Sequence, residues 1–312
     1  VSQTGNSQLS GTLNNNLVAY YPFNGNANDE SGNGNNGTVN GATLTNDRFG
    51  NSNKAFNFDG VDDFISINDN VGLDGNSEFT ISCWIKADDL SYTGNVNGPG
   101  LIPIISKWGG SSSDNNSSYI VSIRDSYLSY AIDCNQTPSN CGQTWVNADS
   151  NIIDDLKWYH IICQNNLQSI KIFINGILKA ENIASNDGIH NNTKNILIGD
   201  WYSQTIAGYE TFNGIIDDVG IWNRALTSQE IQKLYNGDSY SYNWSPAGET
   251  TSSITVSPNT TTTYTVDVTS GSTTCQDSVI VTVNPTEEIS IDSSACDSIQ
   301  FAGNWITTSG TY

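Results

Sequence analysis

The stretch that decides the fold is residues 212–237, FNGIIDDVGIWNRALTSQEIQKLYNG. Its first half, NGIIDDVGIW, has the composition of a strand. In its second half, Thr227 and Glu230 have the spacing of a capping box, in which each side chain bonds the backbone N–H of the other residue. Gly237 then ends the helix. Because more than ten strand-like segments precede this short helix, we interpret it as the closing element of a β-sandwich that ends at about Gly237.

Short strands bounded by Gly, Asn, Asp or Pro begin at Leu17. Asn175-Gly176 supplies the positive φ angles of a two-residue hairpin turn. It predicts a hairpin between SIKIFI and ILKAENI. The clear strands before the closing segment are LVAYYPF, AFNF, DFISI, FTISCWIKA, LIPIISKW, YIVSIRD, YLSYAID, KWYHIICQ, SIKIFI and ILIGD. The pattern predicts an all-β protein built of antiparallel strands.

Composition divides the 312 residues into four parts. Residues 1–16 lack periodicity and are typical of a linker or irregular arm. Residues 17–237 form the first domain. Residues 238–285 are rich in Thr, Ser and Val and predict a small β module with Trp244 in its core. Residues 286–312 begin a further β repeat and stop in mid-pattern, so we expect the chain to be cut from something longer.

The charge balance excludes some partners. Asp and Glu number 32 against 11 Lys and Arg, which gives a net charge of −21. Nucleic acid binding needs clustered basic residues, so it is excluded, and anionic membrane surfaces are disfavoured. No apolar run reaches the ~20 residues that a membrane helix needs, so we expect no membrane insertion. Low Lys content and long Ser/Thr/Asn tracts are typical of a secreted protein.

Two pairs of cysteines carry structural predictions. Cys134 and Cys141 flank a short polar segment, NQTPSN, and predict a disulfide that staples a surface loop. Cys83 and Cys163 lie in strand-like runs. They are either buried thiols or a cross-strand bond, and the sequence leaves both readings open.

Residues 17–237 closely resemble the laminin-G-like jelly rolls of the concanavalin A-like lectin and glucanase superfamily. The resemblance implies two antiparallel sheets packed as a jelly roll, often with one calcium ion, and a carbohydrate-binding or adhesive role. The segments that carry it are LVAYYPFNGNANDESGNGNNGTVNGATLTNDRFGNSNKAFNFDGVDDFISI, FTISCWIK, KWYHII, IKIFINGIL and FNGIIDDVGIWNRALTSQEIQKLYN.

Two later segments resemble repeats of exported bacterial proteins. YNWSPAGETTSSITVSPNTTTTYTV, residues 242–266, resembles immunoglobulin-like surface repeats, although the usual leading strands and first Cys are missing. Cys275 therefore has no evident partner except Cys296. ACDSIQFAGNWITTSGTY, residues 295–312, resembles a repeat common in proteins exported by the type IX route of gliding bacteria. These resemblances imply a secreted or cell-surface location, with other repeats of the same chain as neighbours.

Calcium is the predicted cofactor, in a structural role. Ca²⁺ takes six to eight oxygen ligands from carboxylates and carbonyls. The Gly-rich segment NDESGNGNNG offers Asp29, Asn33 and Asn35. Asp217 lies among apolar strand neighbours and needs a partner, and in the resembling family these two segments approach each other. The alternative is an Asx-turn loop and an Asp217 side chain that bonds backbone amides. Asp63 is a further candidate ligand, but its position favours a turn residue.

Aromatic side chains in long polar loops predict a carbohydrate site, because an aromatic face packs against the apolar face of a sugar ring. The predicted contacts are Trp108, Trp145, Trp201 and Tyr202, with Tyr92 in a similar loop. The alternative is that they only pack at the rim. By contrast, Trp84, Trp158 and Trp222 lie inside strands and are predicted to be core residues. Because the chain is acidic, we expect a neutral glycan, or one bound through calcium.

Enzymatic chemistry finds little support in the sequence. A serine elbow, an HExxH motif, a P-loop and the glycosidase pattern of paired acids are all absent. His160 lies in a strand and is predicted to be structural. The chain is therefore predicted to be a non-catalytic, extracellular module that binds glycans or a cell-surface polysaccharide, as in an adhesin. Two alternatives are an accessory binding module of a polysaccharide-degrading enzyme and a structural spacer or filament module without a ligand.

Overall fold

The computed structural model describes residues 9, 11–88, 90, 101–109, 117–124, 127–133, 143–149, 152–183, 188–201, 211–237, 240–251, 253–270, 273–284, 299–301 and 304–306. The chain divides into two compact units, Val1–Gly237 and Asp238–Tyr312. No helix in the described ranges is long and apolar enough to cross a membrane.

Strands make up most of the regular secondary structure in the described part of the first unit. Short 3₁₀ turns occur at Gly11–Asn14 and Val71–Leu73, and one α-helix, α1, spans Ser228–Asn236. The strands are β1 (Leu17–Tyr21), β2 (Gly37–Asn40), β3 (Thr43–Thr45), β4 (Ala55–Asp59), β5 (Phe64–Ile67), β6 (Phe79–Ala87), β7 (Leu101–Trp108), β8 (Ser117–Arg124), β9 (Tyr127–Asp133), β10 (Gln143–Asn147), β11 (Tyr159–Asn166), β12 (Ser169–Ile174), β13 (Ile177–Ile183), β14 (Ile196–Ile198) and β15 (Asn213–Trp222).

These strands form two antiparallel sheets. The eight-stranded sheet has the order β13-β12-β11-β6-β15-β4-β3, with β1 also paired to β15. The seven-stranded sheet has the order β10-β9-β8-β7-β14-β5-β2. Both sheets send buried apolar side chains into one shared core, for example Ile81 and Ile161 from the first sheet and Tyr119 and Val121 from the second. The predicted all-β fold with antiparallel sheets, as in a jelly-roll sandwich, is confirmed.

The local predictions at the hairpin and the closing helix are confirmed. β12 and β13 pair with Ile174 opposite Ile177, and Asn175 and Gly176 between them have φ angles of 51° and 75°. At the start of α1, the Thr227 side chain accepts from the Glu230 N–H and the Glu230 carboxylate accepts from the Thr227 N–H. Both features rest on contacts between residues close in sequence, which is why the sequence suffices to predict them.

The cysteines in the described ranges are free thiols: Cys83, Cys163 and Cys275. Cys83 and Cys163 lie on neighbouring strands and are buried in the core, so the structure favours the buried-thiol reading. Burial raises the pKa of the Cys83 thiol to about 12. The predicted Cys134–Cys141 disulfide, and Cys296, lie outside the described residues.

In the second unit, the described residues form a three-stranded antiparallel sheet and a separate hairpin. The sheet contains β16 (Tyr240–Ser245), β17 (Thr262–Ser270) and β18 (Thr273–Val281), and the hairpin contains β19 (Ile299–Phe301) and β20 (Asn304–Ile306). Trp244 pairs with Val266 in the register of β16 and β17. That this sheet belongs to an immunoglobulin-like repeat stays a prediction.

Candidate functional site

Three of the four predicted sugar contacts come together, but as a packed cluster. Trp108 and Trp201 lie with apolar residues of β7, β8 and β9 on the outer face of the seven-stranded sheet, and Trp145 packs against them. Only 3% of Trp108 and 4% of Trp201 is exposed. The prediction that these two are exposed loop aromatics is therefore wrong: β7 runs through Trp108 before the polar loop begins, so its ring lies on the sheet.

Trp145 is the partly accessible member of this cluster. Its ring meets that of Trp108 edge to face at 5.9 Å, and the guanidinium of Arg124 lies 4.9 Å above it. The faces that would have to stack on a sugar are thus largely covered by other side chains. Tyr202 and Tyr92, the other loop aromatics of the prediction, lie outside the described residues.

The predicted calcium loop is held by hydrogen bonds of its own. The Asp29 carboxylate accepts from the backbone N–H groups of Tyr20, Ser31 and Asn35. The amide groups of Asn33 and Asn35 both donate to the Val18 carbonyl. The carboxylate and both amide groups therefore hydrogen-bond the loop to β1, as the Asx-turn alternative predicts. Calcium binding by this loop stays a prediction.

The spare candidate Asp63 lies in a group of three acids. Ligand oxygens of Asp59, Asp62 and Asp63 lie within 4.8 Å of one another. One Asp63 oxygen accepts from the Asp59 N–H at 2.9 Å, as the turn reading expects. Burial raises the pKa of Asp63.

Asp217, the fourth predicted ligand, lies on the outer face of the eight-stranded sheet. A β-bulge between Asp217 and Gly220 shifts the register of β15. Val219 and Ile221 consequently point into the core while Asp217 points outward, so the acid does not share the face of these two apolar neighbours. The buried Asp217 side chain accepts a hydrogen bond from Arg48, whose Nη1 lies 3.1 Å from Oδ2.

Next to Asp217 the structure forms a cleft of about 280 Å³, which we call the aromatic cleft. It is lined by Arg48, Phe49, Trp84, Trp158, Tyr235, Asn236 and Gly237. Phe49 is 58% exposed, while Trp158 and Tyr235 are half-buried. Its volume is close to the lower limit of small-molecule sites, ~300 Å³.

Trp84 of β6 and Tyr235 of α1 line the aromatic cleft, and Trp84 lies between buried side chains of the two neighbouring strands. His160 of β11, Trp84 of β6 and Asp217 of β15 are direct partners in the sheet register, so their side chains stand side by side. Tyr235, in the last turn of α1, stacks over this row at 5.9 Å from the Trp84 ring and 6.1 Å from the His160 ring. The helix position is fixed in turn by Glu230, which bonds both Thr227 and Arg224.

Arg48 forms the polar wall of the aromatic cleft. Its guanidinium lies between the rings of Phe49, at 4.5 Å, and Trp84, at 4.4 Å. Its Nη1 donates to Asp217 at 3.1 Å and to Asp218 at 2.6 Å. The bulge places Asp218 at a φ of 48°, which turns its carboxylate toward both Arg48 and the Tyr20 hydroxyl. Bulges often re-aim side chains at functional sites in this way.

Burial sets the protonation of the groups beneath the cleft. Burial first, and then the Asp218 charge, raises the pKa of Asp217 to about 9. Burial lowers the pKa of His160 to about 3, with a smaller contribution from Arg48. Both side chains are thus uncharged near neutral pH. His160 Nε2 also shares a hydrogen bond with the Ser82 hydroxyl at 2.9 Å, which agrees with the structural role predicted for it.

This protonation predicts that stability falls as pH rises between 7 and 9. Folded Asp217 keeps its proton up to about pH 9, whereas the unfolded chain loses it near pH 4, so raising the pH favours unfolding. Asp217 contributes at most about 1.4 kcal/mol per pH unit to this slope, the value for one proton. His160 contributes little, because it is neutral when folded and mostly neutral when unfolded above its ordinary pKa of 6.5. The buried Cys83 thiol lowers stability in the same direction toward pH 9, so the comparison with Asp217→Asn isolates the carboxyl group. Urea unfolding of the parent and of Asp217→Asn at several pH values measures the effect, and parallel pH profiles would contradict it.

Trp84 is buried, as predicted, whereas Trp158 is half-buried, and both line this cleft. The sequence of β6, FTISCWIKA, indicates that Trp84 lies outside the main core. Strand alternation places Trp84 on the same face as Ser82 and Lys86, and Cys83 on the other face. A tryptophan on the polar face of a strand indicates that another element covers it, here α1. Nothing in the TNDRFG segment around Arg48 indicates its role.

The structure forms a second cleft of about 460 Å³, which we call the polar cleft. Its lining among the described residues has no aromatic side chain and consists of Gly75, Asn76, Ser77, Glu78, Gly188, Ile189, Asn191 and Asn223. It therefore provides a natural control position for binding experiments on the aromatic cleft.

Two solved toxin binding domains share the fold of this chain. The binding domain of Paraclostridial Mosquitocidal Protein 1 matches with a TM-score of 0.55 and 18% identity, over 82% of this chain and 64% of that one. The botulinum neurotoxin serotype D binding domain matches with a TM-score of 0.53 and 20% identity, over 73% and 53%. Domain 4 of AbnA, an extracellular arabinanase of Geobacillus stearothermophilus in complex with arabinotriose, matches with a TM-score of 0.49 and 19% identity, over 70% and 98%.

Sequence comparison gives the family. No curated protein matches the chain in sequence. A family model described as the concanavalin A-like lectin/glucanases superfamily matches residues 59–232, which is more than half of the chain and includes both β6 and β15. This chain therefore belongs to the laminin-G-like branch of the concanavalin A-like lectin/glucanases superfamily.

Proposed function

We propose that this chain is a non-catalytic, extracellular module that binds glycans, and that the glycan binds in the aromatic cleft. The observation that carries the proposal is an open cleft with four aromatic side chains, from Phe49, Trp84, Trp158 and Tyr235, beside an arginine. Aromatic faces pack against the apolar face of a sugar, and polar groups at the edge bond its hydroxyls. The superfamily, which includes lectins, supports this reading.

The groups beneath the cleft favour binding over catalysis. Glycoside hydrolysis needs two carboxyl groups that flank the bond to be cut. Asp217 and Asp218 instead share Nη1 of Arg48 beneath the cleft, and Asp217 is 2% exposed. His160 is 1% exposed, and its pKa of about 3 means that it does not take up a proton near neutral pH.

Replacing Trp158 by alanine is expected to weaken glycan binding without unfolding the domain. Loss of one stacking contact is worth ~0.5–1.5 kcal/mol, which is up to about tenfold in affinity. The melting temperature should change little because Trp158 is half-buried at the rim. A glycan array with the parent chain identifies ligands, and calorimetric titration then compares the variants.

The matched controls are Glu78→Gln in the polar cleft and Trp145→Ala on the other sheet. Both are expected to bind like the parent. If only Trp145→Ala loses affinity, the site lies at the tryptophan cluster instead. If the parent binds no glycan on the array, the chain is a spacer module and the proposal is wrong.

A further inference from the structure

Two nitrogen atoms of Arg48, Nε and Nη2, bear on which glycan would bind. Both of its hydrogen bonds to carboxylates use Nη1. Nε and Nη2 have no hydrogen-bond partner among the described residues. These two atoms form one side of the planar guanidinium, from which two parallel N–H groups point outward. Such an edge matches two acceptor oxygens that lie side by side, as in a carboxylate or a pair of adjacent hydroxyls.

The end of α1, which also lines the aromatic cleft, offers acceptors. Tyr235, Asn236 and Gly237 form the end of α1 and line the cleft. The last carbonyl groups of a helix lack partners within the helix, and they carry the negative end of its dipole. The Asn236 amide N–H₂ donates to Gln232 at 3.2 Å, which leaves its carbonyl oxygen as an acceptor. A ligand in the cleft can therefore accept from Arg48 and donate to the end of α1.

Hydroxyl groups meet this requirement better than a carboxylate does. A hydroxyl both donates and accepts, whereas an ionised carboxylate only accepts. The charge of Arg48 is already matched by Asp218 at 2.6 Å. A carboxylate would also face the negative end of α1 in a chain of net charge −21. An uncharged pair of hydroxyls meets none of these repulsions.

We propose that the aromatic cleft selects an uncharged sugar that presents two adjacent hydroxyl groups to the Nε and Nη2 edge of Arg48, and that it discriminates against sugars with a carboxylate. This inference rests on the proposed function and names its ligand class. Stacking on Trp158 and Phe49 holds the ring, and the Arg48 edge then reads its hydroxyls.

Matched polysaccharides test the charge preference on the full chain. The probes are polygalacturonate, alginate and hyaluronan, each beside its own carboxyl-reduced form. At least one reduced form is expected to bind, at least tenfold more tightly than its acidic parent. Added salt should narrow that difference, because it screens repulsion between exposed charges. Tighter or equal binding of the acidic forms, or binding of none of the six, overturns the inference.

Two treatments test the hydroxyl pair. Periodate oxidises two adjacent hydroxyl-bearing carbons to aldehydes and breaks the bond between them, and borohydride then reduces the aldehydes to alcohols. This treatment should abolish binding of the carboxyl-reduced polysaccharide that binds best. Arg48→Lys keeps a cation beside Asp217 and Asp218 but removes the two-donor edge, so about a tenfold loss is expected. Unchanged affinity after either treatment overturns this part of the inference.

A second variant covers the case in which Arg48→Lys fails to fold. Trp158→Phe keeps an aromatic ring but removes the indole N–H, which has no hydrogen-bond partner among the described residues. The expected loss is about two- to tenfold, the range for one hydrogen bond, whereas Glu78→Gln should bind like the parent. A Trp158→Phe variant that binds as the parent does would count against hydroxyl recognition. If the parent binds neutral glycans and acidic glycans equally, this inference fails while the proposed function stands.

Discussion

Replacing Lys107 by methionine is expected to lower the free energy of unfolding of the first unit by about 3–5 kcal/mol, the cost of breaking a buried ion pair from one side. Lys107 is fully buried near the end of β7. Its ammonium lies 2.5 Å from Asp69 and 3.1 Å from Asp74, and it donates to two backbone carbonyls, of Asn192 and Lys194. Methionine fills a similar volume but leaves the buried Asp74 without its cation.

The matched control is Lys171→Met. Lys171 pairs with Glu181 at 3.3 Å, but both side chains are partly exposed, at 25% and 34%. Solvent screens such a pair, so the expected loss is only ~0–1 kcal/mol. Urea unfolding measures both variants, and equal slopes against urea show that the comparison concerns stability. Equal losses of stability in the two variants would mean that the buried ion pairs of Lys107 contribute no more than the exposed pair of Lys171.

Trp108→Ala is expected to cost about 3–5 kcal/mol of stability, the usual range for a buried tryptophan. The ring is 3% exposed and packs in a cluster with Ile120, Ala131 and Trp201. Its removal leaves a cavity on the outer face of the seven-stranded sheet. A loop residue that only contacts ligand would give no such loss, so this result separates packing from binding.

Trp158→Ala is the control for Trp108, because it removes the same side chain from a half-buried position. We expect its stability to lie within about 1 kcal/mol of the parent. Thermal and urea unfolding of the two variants give the comparison. If Trp108→Ala unfolds like the parent and loses glycan binding, then the loop site predicted from the sequence is right and the buried cluster is not.

Much of the fold was predictable because its signals are local. Alternation along FTISCWIKA and YIVSIRD defines strands, Asn175-Gly176 defines a hairpin, and Thr227 with Glu230 starts the helix. Family membership followed from the order of these segments. The binding site was harder to predict. Exposure of an aromatic ring depends on what other elements place over it, and polar neighbours in sequence did not predict it for Trp108 or Trp201.

The sequence by itself therefore determined the strands, the turns, the capped helix and the acidic surface, since these depend on residues within a few positions of one another. Only the tertiary structure decided which side chains meet. Arg48 reaches Asp217 and Asp218 across 169 and 170 positions of the chain. A one-residue bulge in β15 turns Asp217 away from the core and toward Arg48. Side chains alternate between the two faces of a strand, so the bulge changes which face the following side chains occupy. As a result Asp217, which the sequence places among core residues, lies beside the aromatic cleft.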